Sequence, residues 1–272
     1  MHPFRFGVVA TPQDATSWHA TARRVADCGY STLLMPDGLQ LLSPFPLLAA
    51  TAATVPELRV GTFVRAAPLR PPRAAAWEGH SMTVLTDGRF DFGIGTGLPR
   101  ARQWADQLGL PYRSRPERLA DVATAVEHLR ELDGQAHTPV LMAAGGPKAR
   151  ALAARIADTV HLAAAPLATR DEVAAMAADV RKHAGDRDVT LALNLFAVGD
   201  GDLPPWTEQM TGSNAATLRA HDSLALLPGS TPQAMADELQ RRRDALGVSY
   251  LSVNAAFLEP MAPVVELLND RK

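Results

Sequence analysis

The chain has 272 residues, of which 47% are hydrophobic and 21% are charged, and its formal net charge is -2. This length and composition allow a large buried core and match a single eight-fold α/β barrel. The small net charge gives no electrostatic footprint for a nucleic acid or an anionic membrane surface. We therefore expect a small-molecule ligand or a second copy of the chain as partner, and neither a nucleic acid nor a membrane.

One cysteine and eight histidines give little sign of redox or metal chemistry. Cys28 has no second cysteine to pair with inside the chain, and it lies in an apolar helical pattern that favours a buried thiol. The histidines lack metal-ligand spacing, so we expect no metal site. Because the N-terminal sequence does not resemble a signal peptide and no run of about 18 apolar residues occurs, we expect a cytoplasmic protein.

Short apolar strands alternate with helical patterns along the chain. The first strand is predicted at residues 4–10, and the helical pattern after it, with Trp18, Ala22 and Val25 on one face, stops at Gly29. The later strands are predicted at 31–35, 58–64, within the stretch 85–97, and at 139–144, 159–164, 189–198 and 250–254. The later helices are predicted at 46–54, 73–85, 99–108, 115–132, 148–156, 169–183, 231–246 and 261–268.

Eight strands, each followed by a helix, predict a closed parallel (β/α)8 barrel, or TIM barrel, that forms one domain over residues 1–272. Residues 199–230 interrupt the pattern with glycine, proline and asparagine turns, and they predict a loop-rich insertion after the seventh strand. The insertion lies at the strand end where barrels build active sites. A lid or substrate wall is one interpretation, and a surface loop without function is the other.

The fourth strand ends in three glycines, Gly93, Gly95 and Gly97. Glycine lets another group approach the backbone closely, so this strand end predicts the floor of a cofactor site. Two alternatives remain open. The glycines could serve only to turn the chain, or they could belong to a dinucleotide fingerprint, although Leu98 stands where the third glycine of that fingerprint is due.

Five motifs, taken together and in order, resemble the luciferase-like monooxygenase superfamily. They are the segments 30–37, 58–62, 70–73, 85–97 and 143–147, and they extend over much of the chain. The resemblance implies a TIM-barrel oxidoreductase that uses a flavin or the deazaflavin coenzyme F420. Because the cofactor carries the chemistry in such enzymes, the protein positions it and excludes water.

The resemblance also implies where the cofactor and substrate bind. Asp37 is the candidate catalytic residue and a cofactor contact, and a turn or cap aspartate is the alternative. The remaining cofactor-binding candidates are Thr62, Phe63, Val64, Gly95, Thr96, Gly97, Ala144, Gly145, Gly146 and Lys148. Gly145 and Gly146 precede a proline-started helix, so their N–H groups suit the coenzyme phosphate, or they form a tight turn without a ligand. Arg65 and Leu98 are candidate substrate contacts.

Two positions depart from the pattern of the relatives. Gly38 stands where several deazaflavin enzymes have a histidine, and Leu98 stands where sugar-phosphate members have a glutamate. Three hypotheses follow. The first is F420-dependent hydride transfer to or from a small organic substrate, and the second is an FMN-dependent monooxygenase supplied with reduced flavin by a separate reductase. The third is a ligand-binding barrel without catalysis.

The resemblance carries two further expectations. In deazaflavin members a bulge with a non-prolyl cis peptide supports the central ring, and the matching bond here joins Phe63 to Val64. Paired helices of the family form a dimer. We therefore expect a homodimer through the helices at 46–54 and 73–85, with Trp77 and Met82 against the mate.

Overall fold

A closed barrel of parallel strands forms the centre of the computed structural model, which describes residues 2–11 and 14–269. The strands are β1 Arg5–Val9, β2 Thr32–Met35, β3 Arg59–Thr62, β4 Arg65–Ala66, β5 Phe90–Gly95, β6 Val140–Ala144, β7 Thr159–Leu162, β8 Thr190–Leu195, β9 Ala197–Val198, β10 Leu226–Leu227 and β11 Val248–Asn254. The sheet order is β3-β2-β1-β11-β8-β7-β6-β5-β4, and pairing of β3 with β5 closes the barrel. The predicted TIM-barrel fold is confirmed.

Helices surround the barrel, and the longer ones bury an apolar face against it. They are α1 Ala15–Asp27, α2 Pro44–Thr54, α3 Pro72–Leu85, α4 Ala101–Gln107, α5 Arg115–Asp133, α6 Pro147–Ile156, α7 Arg170–Ala184, α8 Pro205–Thr211, α9 Ala215–Ala220, α10 Pro232–Leu246 and α11 Leu258–Asn269. Among the residues described, no helix combines the length and apolar character that a membrane span requires.

The third strand was predicted as one continuous strand over residues 58–64, and this prediction is wrong. β3 ends at Thr62, and the chain rejoins the sheet at Arg65 as β4, so Phe63 and Val64 form a bulge between two short pairings with β5. The peptide bond between Phe63 and Val64 is cis, as expected from the resemblance. The predicted strand 189–198 also divides, at Phe196, into β8 and β9.

The segment 199–230 is more ordered than the predicted loop. It contains α8, α9 and β10, and β10 pairs in parallel with β9 to form a second, two-stranded sheet. Arg242 of α10 is buried and donates to the carbonyls of Leu224 and Leu226 at 3.1 and 2.7 Å. Glu238 accepts from the same guanidinium at 2.8 Å. These contacts fix the end of the segment against the barrel.

The barrel interior is polar at its base and apolar above. At the N-terminal end of the strands, the Asp91 carboxylate accepts from Arg5 and from Arg59, the latter at 2.7 Å. The Arg5 guanidinium lies 4.4 Å from the centre of the Tyr250 ring. Above this ionic layer, Tyr250 packs in an apolar cluster whose upper members include Phe63 and Val64. The interior is therefore filled at these levels by the described residues, and a cavity opens above them at the C-terminal mouth.

Candidate functional site

A cavity of about 640 Å³ opens at the C-terminal ends of the barrel strands. Barrel enzymes build their active sites at this end. Its lining includes these residues predicted from the sequence: Asp37, Phe63, Val64, Gly95, Thr96, Gly97, Leu98 and Gly145. Five other candidates lie outside the lining: Thr62, Arg65, Ala144, Gly146 and Lys148. The structure thus gathers residues from four separate segments of the chain around one cleft.

The floor of the cleft is built from the bulge between β3 and β4. Phe63 and Val64 are half-buried there, and both contact the apolar interior of the barrel. The preceding residue, Thr62, is fully buried and donates from Oγ1 to the Gly93 carbonyl at 2.7 Å. The floor therefore presents an apolar surface held in place by the strand beneath it.

The three glycines at the end of β5 and just beyond it shape this floor in two different ways. A Cβ at Gly93 would lie 1.7 Å from the Thr62 carbonyl oxygen, so this glycine permits the close packing of β3 on β5. A Cβ at Gly95 would lie 3.1 Å from Val64 Cγ2, and Gly97 has a φ of +79°. Glycine at position 93 thus accommodates the protein's own backbone, while Gly95 and Gly97 border the cleft.

His161 completes the floor, although the sequence analysis did not select it. Its ring meets the Phe63 ring edge-on, with the centroids 5.0 Å apart and the planes at 83°. Nε2 is buried without a hydrogen-bond partner among the described residues. Burial lowers the pKa of His161 to about 4, so the imidazole is neutral near pH 7. The missed signal was a single histidine on the inward-facing positions of an otherwise apolar strand.

Asp37 belongs to a buried cluster of charges beside the cleft. Its Oδ2 has no hydrogen-bond partner among the described residues and lies 4.0 Å from Arg70 Nη1. Arg70 also pairs with Glu78 at 3.2 Å. Arg65 is 1% exposed, and burial lowers its pKa to about 10 although the charge of Asp37 opposes this shift. Arg65 therefore lies behind the cleft wall, where its charge acts on Asp37.

The two positions that depart from the relatives lie at the rim. A Cβ at Gly38 would lie 2.9 Å from Trp104 Cη2 and 2.8 Å from Gln40 Oε1. The indole of Trp104, which lines the cleft, thus covers the position where several deazaflavin enzymes have a histidine. Leu98 is 60% exposed and lines the opening. The chain thus offers an indole and the Gln40 amide beside Gly38, and an apolar side chain at Leu98.

The predicted phosphate cradle lies at the N-terminus of α6, where Gly146 is the N-cap and Pro147 begins the helix. Gly145 lines the cleft, and a Cβ at Gly146 would lie 2.7 Å from Arg115 Nη2. Arg115 lines the cleft, whereas Lys148 is exposed outside it. Helix N-termini and arginines both favour anions. Arg115 therefore brings a cation from α5 to this cradle, and Arg150 of α6 also reaches it, because its guanidinium donates to the Gly145 carbonyl.

Arg118 supports the opposite side of the cradle and also lines the cleft. Its guanidinium donates to the carbonyls of Thr96 and Arg113 at 2.9 and 2.6 Å, and it lies 4.3 Å from the centre of the Tyr112 ring. Arg118 is 9% exposed. It therefore ties the glycine-rich end of β5 to α5. Arg113, in contrast, is exposed and pairs with Asp121 at 3.0 Å.

The segment 199–230 supplies part of the cleft wall. Leu224 and Ala225 line the cavity together with Phe196, which precedes β9. The Ala225 carbonyl accepts from the Phe196 amide at 2.8 Å. Of the two interpretations of this segment, the geometry favours a wall over a surface loop without function.

Comparisons with solved structures find the same fold over nearly the whole chain. One is the coenzyme F420-dependent tetrahydromethanopterin reductase from Methanopyrus kandleri, with a TM-score of 0.74, 16% identity, and coverage of 97% of this chain and 98% of that one. An F420-dependent secondary alcohol dehydrogenase gives 0.73 at 15% identity, covering 97% and 99%. A long-chain alkane monooxygenase gives 0.74 at 13% identity, covering 100% and 92%. At these identities the likeness shows the fold.

Sequence comparison identifies the family. Curated relatives from Mycobacterium bovis and Mycobacterium tuberculosis, both described as uncharacterized proteins, are 25% identical over 152 residues. That match covers 46% of this chain and 51% of each relative, so it spans about half of their length. The sequence model for luciferase-like monooxygenases matches residues 1–202. The chain belongs to the luciferase-like monooxygenase family.

Proposed function

We propose that the protein is a coenzyme F420-dependent oxidoreductase that transfers a hydride between the deazaflavin and a small organic substrate. The observation that carries the proposal is the pairing of an apolar floor, Phe63 and Val64, with a cationic rim in one cleft. Two structural neighbours are named for F420, and the family contains oxidoreductases. A flat ring system suits the floor, and an anionic tail suits the rim.

The residues of the cleft fit such a cofactor. Asp37 Oδ2 and His161 Nε2 are buried polar atoms without partners among the described residues, and a bound polar ring would supply partners for them. A Cβ at Gly145 would lie 2.9 Å from the Ala163 carbonyl oxygen and one at Gly146 would lie 2.7 Å from Arg115 Nη2, so glycine at both positions lets Arg115 and the chain itself approach the N-terminus of α6. When bound there, the deazaflavin would supply the hydride chemistry.

The number of cations at the rim supports F420 over FMN. Both cofactors carry a phosphate, but F420 continues into lactyl and glutamyl carboxylates. Arg115 lies beside the phosphate cradle, and Arg100, whose guanidinium lies 5.3 Å from the centre of the Trp104 ring, also lines the cleft. A second cation beyond the cradle favours the longer anionic tail.

Each residue of the cleft would have a defined role in binding the cofactor or the substrate. Phe63 and Val64 would pack against the ring face, and Trp104 would close the cleft over its edge. Gly145, Gly146 and Arg115 would hold the phosphate. Asp37, kept in the field of Arg65, would accept a hydrogen bond from the ring or from the substrate. Leu98 and the wall at 224–225 would contact the substrate and exclude water.

An FMN-dependent monooxygenase is the second candidate, and the apolar wall of the cleft favours it. Alanines and leucines dominate the side formed by the ends of β7 and β8. A dry pocket of this kind protects reactive flavin species from water. This candidate requires a separate reductase to supply reduced flavin.

Fluorescence titration of the purified protein with coenzyme F420 and with FMN tests the proposal. We expect F420 to bind more tightly than FMN. Removal of the cation in Arg115→Ala should weaken F420 binding about tenfold or more, because a charge-assisted hydrogen bond contributes about 1.5–3 kcal/mol. Lys182→Ala, a surface change in the last turn of α7, is the matched control and should leave affinity unchanged.

Gly146→Val tests the cradle independently. Its Cβ would meet the far end of the Arg115 side chain, so the barrel should fold while Arg115 is displaced. Because both changes act on one contact, the double variant should bind no more weakly than the poorer single variant. Equal affinity of wild type and Arg115→Ala would place the phosphate elsewhere. Tighter binding of FMN would favour the second candidate, and no binding of either would favour a barrel without catalysis.

A homodimer through α2 and α3 is proposed in a revised form. Trp77, Val84 and Leu85 are 67%, 61% and 71% exposed and form an apolar surface on α3. Met82 was wrongly expected at this surface, because it points inward and is 4% exposed. Light scattering at micromolar concentration should give twice the chain mass of 29.1 kDa. Trp77→Glu should release monomers, and a wild-type monomer would contradict the proposal.

A further inference from the structure

We propose that His161 is a cofactor-contacting residue that hydrogen-bonds the polar edge of the ring bound in the cleft. The inference deepens the proposed function and rests on it. His161 lines the cleft and touches Phe63, the aromatic residue of the floor on which the ring would pack. It comes from β7, while Phe63 follows β3, so the two rings meet across the mouth of the barrel.

The neighbours of His161 leave its nitrogens without partners. In the sheet it pairs with Ala143 of β6 and Ala192 of β8, neither of which has a polar side chain. Phe63 offers only an aromatic ring. Among the described residues nothing hydrogen-bonds the imidazole, and Nε2 is fully covered. Buried polar groups are nearly always paired in folded proteins, so a missing partner here points to a ligand.

The strand register explains why this side chain faces the cleft. Val160 and Leu162, on either side of it, belong to the main apolar core between barrel and helices. Since side chains alternate along a strand, His161 points into the barrel mouth. A half-turn of the imidazole exchanges each nitrogen with a ring carbon, and histidine χ2 is broadly two-fold. The ring can therefore present a nitrogen to a bound molecule without movement of the backbone.

The charge state of the imidazole restricts its partner. Burial lowers the pKa of His161 to about 4, so the ring is uncharged at neutral pH and offers one donor and one acceptor. An uncharged imidazole suits the carbonyl and N–H groups at the pyrimidine edge of a flavin or deazaflavin. Anions, in contrast, are served by the arginines of the rim. The cleft is thus divided into a neutral polar contact at the floor and a cationic region at the mouth.

Cofactor fragments that lack a phosphate allow the contribution of the floor to binding to be measured apart from that of the rim. Riboflavin and the phosphate-free deazaflavin chromophore keep the ring edge but cannot use the cradle at Gly146. We expect His161→Phe, which keeps an aromatic ring against Phe63, to weaken F420 and both fragments about tenfold. His161→Gln, which restores a polar group, should recover part of the loss. Gly146→Val should weaken intact F420 and leave the fragments unchanged, and His19→Phe on α1 is the matched control.

Nitrogen NMR of protein labelled with [15N]histidine measures the chemical shifts of the His161 nitrogens, which a purely structural role of this residue would leave unchanged when a ligand is added. The His161 signals, assigned by their loss in His161→Gln, should show a neutral ring at pH 7 and should shift when F420 or the deazaflavin chromophore is added. Equal ring affinity in wild type and His161→Phe, with unshifted nitrogen signals, would overturn the inference and leave the proposed function standing. No binding of any cofactor or fragment by wild type would overturn both.

Discussion

Acid should destabilise the folded protein through His161. The imidazole has a pKa of about 4 in the folded state and about 6.5 when unfolded. Above pH 6.5 both states are neutral, and the full stability is present. As the pH falls from 6.5 to 4, the His161 imidazole is protonated in the unfolded state but remains neutral in the folded state, so stability is lost over this window. Below pH 4 this group causes no further loss.

The size of the effect follows from the size of the pKa shift. A decrease from 6.5 to about 4, at about 1.36 kcal/mol for each pKa unit, corresponds to about 3 kcal/mol at the acid end of the window. Typical domains have only about 5–15 kcal/mol of unfolding free energy, so the loss should be measurable. His161→Phe removes the titrating group and should remove this part of the pH dependence.

Urea unfolding at several pH values between 7.5 and 4.5 measures the effect. We expect the free energy of unfolding of wild type to fall by about 2 to 3 kcal/mol more than that of His161→Phe over this range. His19→Phe should follow wild type, because His19 lies on α1, outside the barrel mouth. If wild type and His161→Phe gave parallel curves, the imidazole would not be buried and neutral, and the reasoning would be refuted.

Two further predictions concern the framework of the cleft. Gly93→Ala should prevent or severely impair folding, because the new Cβ would lie 1.7 Å from the Thr62 carbonyl oxygen. Gly201→Ala is the control: no atom lies within 4 Å of a Cβ at that position, so this variant should unfold at the same urea concentration as wild type. Arg242→Met should lower the free energy of unfolding by about 3–5 kcal/mol. The change removes one ion-pair partner of the buried Glu238 carboxylate, and it leaves the carbonyls of Leu224 and Leu226 without the hydrogen bonds that Arg242 donates. The matched control, Arg241→Met, changes a side chain that is 67% exposed and should cost less than about 1 kcal/mol. An Arg242→Met protein as stable as its control would contradict the assigned role of this network.

The sequence by itself determined the barrel and much of the cleft lining. Apolar segments at regular spacing with helical patterns between them are local signals, because strand and helix periodicities depend on neighbouring residues. Glycine-rich strand ends are equally local, so the residue pattern alone was enough to identify Gly95, Gly97 and Gly145, which all line the cleft. Family membership followed from the order of the motifs, and the model match to residues 1–202 confirms it.

Only the tertiary structure decided which side chains meet across the barrel. His161 and Phe63 are far apart in the sequence, and their contact depends on closure of the sheet. Closure also brings Arg115, the first residue of α5, to Gly146 at the start of α6, whereas the Lys148 side chain is exposed outside the cleft. Burial of Arg65 and the inward turn of Met82 likewise depend on how helices pack against strands. Such contacts join distant segments, and no local pattern in the chain encodes them.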